Sequence, residues 1–160
     1  MRDWLAALMQ LLDEQIAAAV ALVEGLHVER QALTGRNVEA LNASSAQKQQ
    51  LLARFEELEQ ERRMLCGAAG AGTDPRAMDK LMGALETDVR ATLEAKWQRV
   101  MELTARCRDA NETNGMIAQA RQRQILQLLG LMRTGANAGT TYGRSGVAAT
   151  GGGTRALASA

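Results

Sequence analysis

Large aliphatic side chains recur at steps of three and four through most of this 160-residue chain, and a single proline, Pro75, falls among them. That spacing draws one stripe along an α-helix, and a sheet, which needs strict alternation, has little to build on. In the first segment the stripe is Leu5, Leu8, Leu12, Ile16, Ala19, Val23, Leu26 and Leu33, with the polar Arg30 filling one place. It predicts a helix over 3–33, stopped at Thr34-Gly35, where glycine accepts the left-handed conformation that closes a helix. Asn37 suits the N-cap of a second helix over about 37–66, with the stripe Val38, Leu41, Leu51 or Leu52, Phe55, Leu58 and Leu65. Ser44, Ser45 and Lys48 weaken the middle of that stripe. The run Glu56, Glu57, Glu59, Glu61, Arg62, Arg63 reads as a solvated charged face.

Gly67 to Gly72 reads as a flexible connector. It has the glycines of a phosphate loop but no Lys-Ser/Thr after them and no strand before them, which argues against nucleotide binding. Asp74 and Pro75 then suit the cap and first turn of a third helix. Its spacing runs from Met78, Met82, Leu85, Val89 and Leu93 through Val100, Thr104 and Cys107 to Ile125, Leu128 and Met132, so one helix is expected over 74–133. A helix of that extent is about 85 Å long, whereas the first two are each about 45 Å, so a hairpin of those two leaves part of it uncovered. After Thr134 the chain is rich in Gly, Ala and Thr, with seven glycines in the last 27 residues, and such a segment cannot offset the entropy of ordering. The expected architecture is all-α: an antiparallel three-helix bundle or coiled coil over 1–133, with a long third helix and a flexible tail over 134–160.

Few polar groups converge in a way that catalysis requires. His27 is the one histidine, flanks the first apolar stripe, and reads as a partly buried, satisfied side chain. Cys66 and Cys107 have neither disulfide-framework nor metal-ligand spacing, and read as reduced thiols. No enzyme, metal or cofactor is expected. Asp3, Asp13 and Glu14 interrupt the N-terminal apolar residues, so neither a signal peptide nor a membrane span is read there. Net charge is near zero but unevenly placed: the last acidic residue is Glu112, and only arginines follow, at 121, 123, 133, 144 and 155. Without an aromatic platform beyond Tyr142, those arginines make a poor nucleic-acid surface.

Two segments depart from ordinary helix grammar. In Asn111-Glu-Thr-Asn114-Gly115-Met-Ile117 two asparagines fall on the apolar stripe, followed by a glycine that weakens a helix by about 1 kcal/mol relative to alanine. Either the helix breaks there, since Asn-Gly is a turn signal, or Asn111, Asn114 and Gly115 fix register against neighbouring helices. In Ile125 to Met132, six of eight residues are large and apolar. Such a surplus either folds back on its own bundle or receives a partner's amphipathic helix. Beyond it, Tyr142 is an isolated aromatic in a basic, Gly-rich stretch, suited to anchoring a second partner.

With its Leu-rich first helix with acidic interruptions, Lys48 before Leu51-Leu52, Trp97, Asn111-x-x-Asn114-Gly115-x-Ile117 and Tyr142-Gly143, nearly the whole chain resembles the FlgN-type flagellar chaperones. The glycine connector and the extension after residue 146 are looser than that pattern. The resemblance implies a cytoplasmic, all-helical export chaperone. Such a chaperone binds the C-terminal helical regions of two hook-associated junction proteins, prevents their premature assembly and delivers them to the cytoplasmic domain of the export gate membrane protein. Carried over, Ile117, Ile125, Leu128, Leu129 and Met132 would contact the substrate protein, and Tyr142 would dock on the gate. The rivals are a structural coiled-coil adaptor and an amphipathic helical coat protein of granules.

Overall fold

The computed structural model describes residues 3–144, with side chains as far as residue 135. It is all-α, with four helices and no strand among the described residues: α1 (Asp3–Gly35), α2 (Val38–Ala68), α3 (Ala77–Gly83) and α4 (Thr87–Arg144). Two units are distinguished, Met1–Ala118 and Gln119–Ala160.

The single third helix expected over 74–133 is instead two, and the second runs past 133 to Arg144, into the segment expected as a flexible tail. Asp74 does not cap it: its side chain accepts from the Arg76 amide at 2.8 Å and pairs with Lys80 at 2.7 Å, while its carbonyl accepts from the Ala77 amide at 3.0 Å. The residue capping α3 is Arg76, which makes no side-chain cap bond. After Gly83 the Ala84 and Leu85 amides tighten back onto Leu81 and Met82, and the Glu86 carbonyl accepts the Arg90 amide to begin α4. Met78, Met82 and Leu85 keep helical spacing across the break, which is why the pattern hides it.

α1 runs two residues beyond the expected end at 33, and its left-handed closing residue falls one position after the expected Gly35. Gly35 is its last helical residue, and the left-handed conformation falls on Arg36, at φ 56°. Asn37 caps α2 as expected, its side chain accepting from the Ala40 amide at 3.0 Å. The segment 67–72 is a built turn, not a loose connector. The Ala71 amide donates to the Cys66 carbonyl and the Gly70 amide to that of Gly67, the reciprocal pair that ends a helix around a left-handed glycine, here Gly70 at φ 84°. Ala71 is then carried into the core.

Within the first unit, contacts fix the helix directions. Glu14 meets Arg54 and Glu29 meets Lys48, so α1 and α2 are antiparallel. Cys107 reaches the Ala19 carbonyl and Asn114 that of Leu26, so α4 runs parallel to α1. One apolar cluster joins Leu8 and Leu12 of α1, Cys66, Ala71, Met78, Leu81 and Met82 around the short α3, and Leu93 and Val100 of α4. A second joins Leu22, Val23 and Leu26 to Cys107. α1 alone among the described residues is long and apolar enough to cross a membrane by length and composition, contrary to the expectation of no such stretch, because Asp13 and Glu14 are adjacent and leave apolar runs on both sides. Twelve of its residues are buried within the protein.

Candidate functional site

In the first unit, the residues α4 buries are Leu93, Val100, Leu103, Cys107 and Asn114. Four of these recur every seven residues, the interval at which one side of a helix keeps meeting the same neighbours. Leu93, Val100, Cys107 and Asn114 all lie on the line read in sequence, which misses at one step, where Leu103 is buried and Thr104 only half-buried.

Asn114 closes this series with a polar group that is 3% exposed. Its amide nitrogen donates to the Leu26 carbonyl and to Glu29 Oε2, both at 2.8 Å, and its oxygen accepts from Arg30 Nε at 3.0 Å. Arg30 also donates to the Ala110 carbonyl at 3.4 Å. The other carboxylate oxygen of buried Glu29 takes Lys48 Nζ of α2 at 2.6 Å. One polar layer therefore links α1, α2 and α4. Asn111 and Gly115, grouped with Asn114 in the sequence, stand outside it: both are exposed, and a Cβ on Gly115 would meet nothing within 4 Å. The helix passes through the Asn-Gly pair unbroken, and no neighbour approaches the glycine's backbone.

A second cluster lies nearer the α3 end. Arg62, expected on a solvated face, is 7% exposed, with its guanidinium carbon 4.6 Å from the centre of the Trp97 ring and a 2.7 Å bond to Glu59. Glu59 also takes Arg63 at 3.1 Å and Gln15 at 3.3 Å. His27 is exposed, not partly buried, beside Arg30, Arg106 and Asp109. Cys66 lies against Met78 with its sulfur 3.7 Å from the thioether, and burial raises the pKa of this thiol and of Cys107. Among the described residues no group of three or more His, Cys, Asp or Glu side chains could hold a metal.

The second unit presents a different surface. Ile125, Leu126, Leu128, Leu129, Leu131 and Met132 are each between 52% and 70% exposed. Ile125, Leu128, Leu129 and Met132 stand at i, i+3, i+4 and i+7, so these four share one face. Ile117 is not grouped with them; it is half-buried and belongs to the first unit. Tyr142 falls in the last residues of α4, and its side chain lies outside the described residues. Sequence reasoning missed Glu29 and Arg30 as partners of Asn114, and Lys48 as the partner of Glu29. The signal was there as a polar gap in each of three stripes, but which gaps lie side by side is a tertiary fact.

The family model described as FlgN protein matches residues 1–150. A crystal structure of a flagella synthesis protein FlgN from Pseudomonas aeruginosa is similar, at 30% sequence identity and a TM-score of 0.61, over 77% of this chain and 95% of that one. The curated proteins gave no match.

Proposed function

The chain belongs to the FlgN family of flagellar export chaperones, and from that membership we propose how it works: the leucine-rich face at 125–132 holds its cargo. The family is non-catalytic and generally binds hook-associated proteins and components of the export gate. On our reading this chain acts in the cytoplasm, and its cargo is the C-terminal helical region of each of two hook-associated junction proteins. Ile125, Leu128, Leu129 and Met132 bury the apolar stripe that would otherwise drive those subunits to assemble. The first unit is the scaffold, in the arrangement of a three-helix coiled coil, and the residues after 133 serve as a tail in which Tyr142 docks on the cytoplasmic domain of the gate.

A single observation carries the reading: six large apolar side chains within eight residues are more than half exposed. Leaving that much hydrocarbon in water is unfavourable by about 25 cal/mol per Å², and contiguous exposed apolar surface marks a contact site. A helix laid along it would bury on the order of 1000–2000 Å² in total, a normal size for a specific and reversible complex.

The test is Leu128→Asp combined with Leu129→Asp. Both side chains are exposed, so helix content by circular dichroism should be unchanged while calorimetric binding of a junction-protein C-terminal fragment is lost. Unchanged affinity would exclude this face. Tyr142→Ala should leave fragment binding intact and weaken binding of the loaded chaperone to the gate domain. Equal loss of both would remove the division of labour.

A further inference from the structure

Between residues 119 and 135 every ionisable side chain is an arginine: Arg121, Arg123 and Arg133. No carboxylate follows Glu112 anywhere in the sequence, and Arg144 and Arg155 continue the run. A preference of helix C-termini for cations does not account for it, because that effect fades within the last turn. Arg123 lies about six turns before Arg144, the last residue of α4. Arg123 and Arg133 are exposed. Arg121 stands four residues before Ile125 and Arg133 four residues after Leu129, the spacing at which helix side chains are neighbours. The exposed apolar face is thus bracketed by positive charge at both ends, with no acidic side chain of its own segment to neutralise it.

Resting on the docking face proposed above, we propose that this segment selects amphipathic helices whose apolar stripe is flanked by acidic side chains, and rejects equally apolar helices with basic flanks. Burial supplies the affinity, and it is blind to which apolar helix arrives. Charge supplies discrimination and direction: like charges brought together at an interface are strongly unfavourable, while opposite charges steer the encounter and fix its register. An anionic bilayer is the poorer match. A helix lying on a membrane carries a polar face crowded with cations. Here the side opposite the four-residue apolar face has Arg123 with Gln127 and Gly130 at i, i+4 and i+7, and the exposed Leu126.

Three synthetic helices of about 20 residues, with one Leu/Ile stripe and flanks of Glu, Gln or Lys, test this against the full-length chain. At about 50 mM salt, calorimetry should find the Glu-flanked peptide bound about tenfold more tightly than the Gln-flanked one and the Lys-flanked one weakest, with the differences shrinking at about 300 mM. Arg133→Gln, which removes the exposed bracketing charge four residues after Leu129, should close a large part of the gap while leaving the Gln-flanked peptide's affinity unchanged, whereas Arg123→Gln, on the opposite side, should leave the gap open. Equal binding of the Glu and Lys peptides overturns the charge selection and leaves the docking face standing. Failure of all three to bind a chain with undiminished helix content overturns the docking face as well. Preferential binding to phosphatidylglycerol vesicles over the Glu-flanked peptide overturns the assignment of a helical protein partner.

Discussion

Arg62 shows how far a side chain's surroundings can depart from its place in sequence. In a run of Glu and Arg it reads as solvent-facing, yet its guanidinium is buried over Trp97 and bonded to Glu59. A buried guanidinium is tolerable only when paired, and stacking on an aromatic face adds a favourable term. Glu59 carries the consequence. Partial burial by itself raises its pKa, but the hydrogen bonds and charges of Arg62 and Arg63 outweigh that, and the net shift is downward. Folding therefore favours the ionised form, so Glu59 contributes stability above its ordinary pKa of about 4.5 that is lost as pH falls through the depressed folded value. The thermal midpoint should drop more steeply below about pH 5 in the native chain than in Glu59→Gln, which should be a few degrees less stable at pH 7. Parallel curves would remove Glu59 from the acid response. Nothing in the local sequence separates Glu59 and Arg62 from Glu57 and Arg63; which of them faces Trp97 depends on how α2 is rotated against α4.

At the level of the helix, Gly115 was the ambiguous position. Its sequence supports either a turn or a helix, and the helix is what forms, because Asn114 just before it is held by three groups of α1. Gly115 is exposed and a Cβ there has open space, so it carries the backbone-entropy disadvantage of glycine without a packing reason. Gly115→Ala should raise unfolding stability by about 0.5–1 kcal/mol, read as a higher urea midpoint with an unchanged slope. A lower midpoint would mean the position needs glycine in the free chain. The opposite lesson comes from residues 84–86, where Gly83 ends α3 but does not by itself require a break, since α4 passes unbroken through Gly115. The break is set by burial instead: Ala77, Met78, Leu81 and Met82 pack with Leu8, Leu12 and Cys66, which draws this short helix into the core.

Across the first unit, three helices turn polar together where Glu29, Lys48 and Asn114 meet, with Arg30 reaching across. Removing Asn114 would leave the Leu26 carbonyl, one Glu29 oxygen and Arg30 Nε short of a partner. Asn114→Ala should destabilise the chain by about 2 kcal/mol by urea unfolding, and a loss under about 0.5 kcal/mol would show the layer to be dispensable. Polar groups at such a position admit one alignment of neighbouring helices where an all-leucine seam would admit several. The sequence alone determined the all-helical character, the approximate spans of the first two helices, the Asn37 cap, the surplus of large apolar residues at 125–132 and the wholly basic end, since each follows from local spacing and composition. Only the tertiary structure decided that the third helix is two, that Arg62 is buried and that Asn114 meets Glu29. Those outcomes depend on which faces of distant segments come together, and a periodic pattern fixes a helix's apolar face without fixing its register against another.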